Sequence, residues 1–175
     1  MATENKNLSN YDKSKLPSAE PYTFGIVVSN WNDHITHALR DGAIDTLKDL
    51  GALEENILQI DVPGSFELVY GSKMMCENYV DAVIAIGSVI RGETAHFDYV
   101  CQGVTQGIKD LNVAYDVPVI FCVLTDDNEQ QSIDRAGGKH GNKGVEAAVA
   151  AVQMAHLNVE FGASDNDYDD FPSLN

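Results

Sequence analysis

With 175 residues and 44% apolar content, the chain can bury one domain-sized core and is too apolar for wholesale disorder. No apolar run is long enough to cross a bilayer, and the opening MATENKNLSN lacks the basic and apolar regions of a secretory signal, so a soluble, cytoplasmic protein with no membrane partner is expected. A net charge of −16 removes nucleic acid from the expected partners, because no basic patch could neutralise phosphates.

The same acidity sets a condition: to bind a small anion, the protein must gather positive charge at one place. Cys76, Cys101 and Cys122 are far apart and form no CxxC, which suits reduced core thiols better than a disulfide framework.

Along the chain, residues 1–21 are polar, hold Pro17 and Pro21 and show no period; they read as an extended N-terminal arm, free or paired with something outside the core. Strand and helix patterns then alternate. Four apolar, β-branched runs, at 24–29 (FGIVVS), 57–62 (ILQIDV), 82–87 (AVIAIG) and 117–124 (VPVIFCVL), suit parallel strands covered by helices on both faces. Helical spacing of Ile35, Leu39, Ala43 and Leu47 predicts a helix stopping at Gly51. Further helices are predicted from about 65 to 75, 94 to 110, 127 to 136 and 143 to 157. The acidic end, residues 159–175, has too few apolar residues to offset its ordering entropy and reads as a solvated tail. The alternation predicts an α/β fold, a three-layer α/β/α sandwich around a central four-stranded parallel sheet occupying residues 22–158.

In such sheets ligands bind beyond the carboxyl ends of the strands. Asn30-Trp31-Asn32, Pro63-Gly64-Ser65-Phe66-Glu67, the run from Ser88 through Val89, Ile90, Arg91, Gly92, Glu93, Thr94 and Ala95 to His96, and Thr125-Asp126-Asp127 all fall there. GSVIRGETAH joins a strand to a helix, and backbone N–H groups at the helix start with the Thr94 hydroxyl make an anion seat. It is neither a Walker loop nor GxGxxG, so a phosphate on a small substrate fits better than a nucleotide. Thr94 reads equally well as a plain helix cap. His96, beside that seat, can move protons near neutral pH, whereas His34, His37, His140 and His156 read as surface residues.

Trp31, the sole tryptophan, could stack on a flat heterocycle or cap the core; Asn32 could be a plain cap; Glu67 could favour a helix dipole or accept hydrogen bonds from a polyol. Arg135, Lys139 and Lys143 lie in RAGGKHGNKG, where Gly137, Gly138, Gly141 and Gly144 permit a tight helix-to-helix turn. That turn is the local positive charge the composition calls for, unless its cations are merely solvated.

Taken together, SNWND, VPGSFEL, AIGSVIRGETAHFDYV, VIFCVLTDDNEQ and DRAGGKHGNKGVEAA resemble the lumazine synthases in order and spacing over about residues 22–158. The resemblance implies a flavodoxin-like fold and a condensation of 5-amino-6-(D-ribitylamino)uracil with 3,4-dihydroxy-2-butanone 4-phosphate that needs no metal and no organic cofactor. It places Trp31 on the pyrimidine, Asn32 and Glu67 on the ribityl chain, and Ser65, Phe66, Ser88, Val89 and Ile90 around ring and chain. Glu93 and Thr94 match the phosphate loop and His96 the proton-transfer residue. Phe121, Arg135, Lys139 and Lys143 match residues supplied by a neighbouring subunit, and Glu146 an acid that can pair with Arg135. Trp31 replaces a frequent Phe, Glu93 stands where small residues are usual, and Cys122 stands where Gly is common. The family also implies a homo-oligomer of pentamers. The absence of an insertion at Gly137–Gly144 favours a closed icosahedral cage, with the arm on a neighbour's sheet edge and riboflavin synthase as an associated enzyme. Two rivals compete with this reading: a non-catalytic flavin or lumazine binder on the same scaffold, and a response-regulator-like phosphate domain.

Overall fold

The four β-branched runs pair into one parallel sheet, and the helices between them cover both of its faces. A computed structural model describes residues 7–162. The sheet is built from β1 (Phe24–Ser29), β2 (Ile57–Val62), β3 (Ala82–Ile90) and β4 (Val119–Asp126), in the order β2-β1-β3-β4. Helices α1 (Asp33–Asp49), α2 (Leu68–Cys76), α3 (His96–Ala114), α4 (Glu129–Arg135) and α5 (Lys143–Gly162) complete the three-layer α/β/α, flavodoxin-like sandwich. A short antiparallel pair, β5 (Ala136–Gly138) and β6 (Gly141–Asn142), links α4 to α5.

The central strands are buried on both sides, and alternate residues feed two cores. Ile26, Val28, Ile84 and Ile86 meet Leu39, Ala43 and Leu47 of α1 and Ala148, Ala151 and Val152 of α5. Val27, Val83 and Ala85 face the opposite way, toward Leu68 and Met75 of α2 and Val104 and Ile108 of α3. β2 departs from the expected strand covered on both faces: it is one of the two edge strands, and Leu58, Gln59 and Asp61 are exposed. Polar residues on its solvent side discourage indiscriminate edge pairing.

Several element ends differ from the sequence pattern, each for a local reason. β3 runs on through Ser88, Val89 and Ile90 because these pair with Leu124, Thr125 and Asp126. β4 begins after Pro118, which has no N–H to give a ladder but whose carbonyl accepts from Val83. α2 starts at Leu68 rather than near Ser65, and α3 at His96 rather than Thr94. α5 continues to Gly162, past the expected end near 157, so the first residues of the proposed tail are helical; the rest of that tail, and arm residues 1–6, lie outside the described residues. The described part of the arm contacts its own domain: Ala19 is buried, Lys13 pairs with Asp49, and Leu8 N–H donates to the His140 carbonyl.

The glycine-rich turn is more specific than a flexible link. Gly137 and Gly141 adopt φ of +113° and +85°, as the hairpin requires. Gly144, expected to serve the turn, instead lies in the first turn of α5 where an added Cβ would collide with the Leu39 carbonyl oxygen of α1. Asn142 completes the seam: Nδ2 donates to the Ala38 carbonyl at 2.8 Å, and Oδ1 accepts from Gly144 N–H at 2.8 Å, capping α5. Gly42 leaves the space, since a Cβ there would stand 2.5 Å from Asn142 Nδ2.

Cys76 and Cys122 are buried and Cys101 half-buried, and all three are free. Burial pushes the Cys122 thiol up to about 12 and the Cys76 thiol to about 11, so both stay protonated and inert. The backbone contact at Gly144 predicts that Gly144→Ala will destabilise the fold by about 1–3 kcal/mol, as overpacking does. Gly92→Ala, where an added Cβ meets nothing within 4 Å, should leave stability unchanged. Chemical denaturation of both variants checks this.

Candidate active site

The strand order creates a crevice. β1 lies between β2 and β3, so the chain leaves β1 to one side for β2 and crosses to the other side for β3. Beyond the carboxyl ends of these strands is a cleft of about 720 Å³. Trp31 and Asn32 enter it from the end of β1, and Ser65, Phe66 and Glu67 from the segment after β2. Ser88, Val89 and Ile90 line it as the last residues of β3, while Thr94 and His96 reach it from the start of α3.

Asn32 is no ordinary cap. It sits in the left-handed region (φ 61°, ψ 47°), which Asn tolerates better than most residues, and its side chain makes no cap bond to α1. Its Nδ2 instead donates to the Ser88 carbonyl at 3.1 Å, tying the ends of β1 and β3 together across the crevice. The preceding Trp31 is turned outward and 70% exposed, so it does not cap the core. Phe66 is also largely exposed, its ring edge resting on α3 where a Cβ at Gly103 would lie 2.7 Å from it. Two aromatic rings without core partners at a cleft mouth suit a flat ligand.

The other end holds the residues expected to seat an anion. Thr94 Oγ1 accepts from His96 N–H at 3.4 Å, and the first turn of the 19-residue α3 brings its N–H groups and positive dipole end to the cleft. Both side chains are exposed. Arg91 is the cation nearest in sequence, but its Nε lies 3.0 Å from Asp127 and its Nη1 3.2 Å from Asp98. Its guanidinium also stacks 4.1 Å from the centre of the Phe97 ring. The bond to Asp127 raises its pKa further, and its charge is spent within the chain. No Lys or Arg lines the described cleft, whereas Glu67 does. Glu93 is exposed and stands outside the lining.

Five expected residues are elsewhere. Phe121 is half-buried in β4, against the core shared with α2 and α3. Arg135 ends α4, Lys139 is exposed in the turn between β5 and β6, and Lys143 and Glu146 open α5. The expected Arg135–Glu146 pair is not formed within the chain: Glu146 holds Lys143 at 2.8 Å, while Arg135 Nη1 stands 3.7 Å from Asp126. Conversely, Phe97, Tyr99 and Val100 line the cleft without having been placed there, and Gly64 and Gly92, read only as part of the strand-end segments, line it too. Phe97 is buried and still borders the cleft together with Val100, because α3 begins at His96, at the cleft's edge.

Fold and site together define an α/β scaffold with a switch-point cleft, aromatic at one end and with a hydroxyl, an imidazole and a helix start at the other. Residues 21–159 match the family described as 6,7-dimethyl-8-ribityllumazine synthase. A 6,7-dimethyl-8-ribityllumazine synthase from Flavobacterium psychrophilum is 62% identical over 170 residues, covering 94% of this chain and 90% of its own. Those of Flavobacterium johnsoniae (62% identical, 94% and 87% covered) and Christiangramia forsetii (60%, 90% and 95%) are similarly related. The chain belongs to the 6,7-dimethyl-8-ribityllumazine synthase family.

The exposure of the one tryptophan gives a direct optical test. Titrating the protein with a ribityl-substituted pyrimidine or flavin should quench Trp31 emission in a saturable way, and an unchanged spectrum at saturating ligand would remove Trp31 from the ring site.

Proposed function

We propose that the chain catalyses the condensation of 5-amino-6-(D-ribitylamino)uracil with 3,4-dihydroxy-2-butanone 4-phosphate to 6,7-dimethyl-8-ribityllumazine, the penultimate step of riboflavin biosynthesis. In this reaction the pyrimidine amine attacks the ketone and water leaves to give an imine. Phosphate is then eliminated, and the ring closes with loss of a second water. The proposed enzyme is a cofactor-free, metal-free transferase of the cytoplasm. Trp31 and Phe66 flank the ring, Asn32, Ser65, Glu67 and the β3 end hold ring and ribityl chain, and Thr94 with the Glu93 backbone seats the phosphate. His96 carries the proton from atom to atom. Holding two substrates in one cleft supplies much of the acceleration, so the acid–base task is modest.

The observation that carries this reading is the mismatch at the anion end: a helix start, a hydroxyl and an imidazole converge there, yet Arg91, the arginine nearest in sequence, is already paired twice and no Lys or Arg lines the described cleft. A phosphate ester needs a cation as well, and Arg135, Lys139 and Lys143 do not line this chain's own cleft. A neighbouring copy supplying Arg135, with Phe121 against the ring and Lys139, Lys143 and Glu146 in support, resolves it. The oligomer is therefore part of the proposal: rings of five, closing into a cage, with the arm on a neighbour's open sheet edge. β2 offers such an edge among the described residues. A riboflavin synthase, which consumes the product, is the proposed associated enzyme.

A mere binder of flavin or lumazine would not need His96 at the anion seat. Mixing the two substrates with protein should produce the absorbance and fluorescence of the lumazine. His96→Ala should lower kcat by about 10–100-fold, the modest end of acid–base effects. Absence of product with the unaltered protein would refute the activity, and an unchanged His96→Ala enzyme would refute the residue's role.

A further inference from the structure

Beyond the cleft lies a buried polar chain whose acid, Asp126, has no part in the reaction as proposed. Asp126 ends β4 with only 8% of its surface exposed. A carboxylate so buried must be satisfied by neighbours. Ser132 Oγ donates to its Oδ2 at 2.8 Å, and Arg135 Nη1 stands 3.7 Å from its Oδ1. Ser132 and Arg135 are three residues apart on α4 and so share the face turned toward β4. Arg135 Nη1 also donates to the Gln131 carbonyl at 2.9 Å. On the other side, Ser88 Oγ is 3.4 Å from Ser132 Oγ, and the Ser88 carbonyl accepts from Asn32 in the cleft. The backbone carbonyl of Asp126 accepts from Arg91 N–H at 3.0 Å, which fixes the strand end that carries the acid.

We propose that Asp126, held by Ser132, is a positioning residue that aims Arg135 at the substrate phosphate; this rests on the reading of Arg135 as the phosphate cation of the adjoining subunit's cleft. The distances favour aiming over neutralising. At 3.7 Å the carboxylate attracts the guanidinium without taking one of its N–H groups in a close hydrogen bond. The Gln131 carbonyl takes one donor, and no other hydrogen bond to Arg135 occurs among the described residues, which leaves most of the planar fork for an anion. A flexible side chain restrained in this way loses less freedom when phosphate arrives. Asp126 touches no substrate; it acts through Arg135.

Steady-state kinetics on the assembled enzyme, varying each substrate in turn, separates the possibilities. Asp126→Asn keeps an acceptor for Ser132 but removes the charge, and should raise KM for the phosphorylated ketone about 5–20-fold with KM for the pyrimidine unchanged. Inhibition by inorganic phosphate should weaken in parallel. Ser132→Ala, which loosens the acid without removing its charge, should give a smaller change in the same constant. On an Arg135→Ala background, Asp126→Asn should add nothing, because the residue it acts through is gone. An equal further loss on that background would mean a general structural effect and overturn the proposal, as would a lowered KM for the phosphorylated ketone, which would make Asp126 a brake on phosphate binding. If Arg135→Ala itself left phosphate dependence untouched, the underlying assignment of Arg135 would fail instead.

Discussion

If a chain of net charge −16 is to bind a phosphate ester, as proposed, it must supply a countercharge, and no Lys or Arg lines the cleft among the described residues. Hydroxyl, imidazole and helix-start N–H groups orient an anion, but repulsion from surrounding carboxylates, Glu67 among them, opposes its entry. Arg91 is held by Asp98 and Asp127 and stacked on Phe97. Three cations are grouped around the α4–α5 connection, and none of them lines the chain's own cleft. On the proposed reading the cleft of one chain is half a site, and assembly becomes a chemical requirement.

The connection that presents those cations is also a packing device. The same ten residues that carry Arg135, Lys139 and Lys143 contain Asn142 and Gly144, which lock α5 onto α1 through Ala38, Leu39 and Gly42. The buried face of α5 is mostly alanine, so the two helices approach closely, and the pair covers one whole face of the sheet. Side chains aimed outward are precise only if their backbone is fixed. Here the hairpin is held by α1 below and by Leu8 and Ser9 of the arm above, through the His140 carbonyl and the Asn142 N–H.

Strand cores and helix faces were legible in the sequence because burial on both sides demands unbroken β-branched runs, and burial on one side demands helical spacing. The cleft lining could be read from Trp31 to His96 because a doubly wound sheet puts its site where the strands end. Limits appeared where pairing rather than residue type decides. Ser88–Ile90 are strand because Leu124–Asp126 lie opposite, which their own sequence does not say. Gly144 looked like a turn glycine and is a helix-contact glycine, a distinction set by Leu39 more than a hundred residues earlier. Asp126 carried no local sign of its role, since its partners Ser132 and Arg135 come into reach only after α4 folds back. Glu146 was expected on Arg135 and is held by Lys143 one turn earlier in its own helix.

The division of the site between two copies can be measured by complementation. Co-expressing His96→Ala chains with Arg135→Ala chains lets them assemble together, and each protein alone is impaired. If His96 of one chain works with Arg135 of the next, about a quarter of the sites in a randomly mixed ring regain both groups, and activity rises well above the average of the two separate variants. If both groups serve a site within one chain, mixing restores nothing, and the shared cleft is excluded.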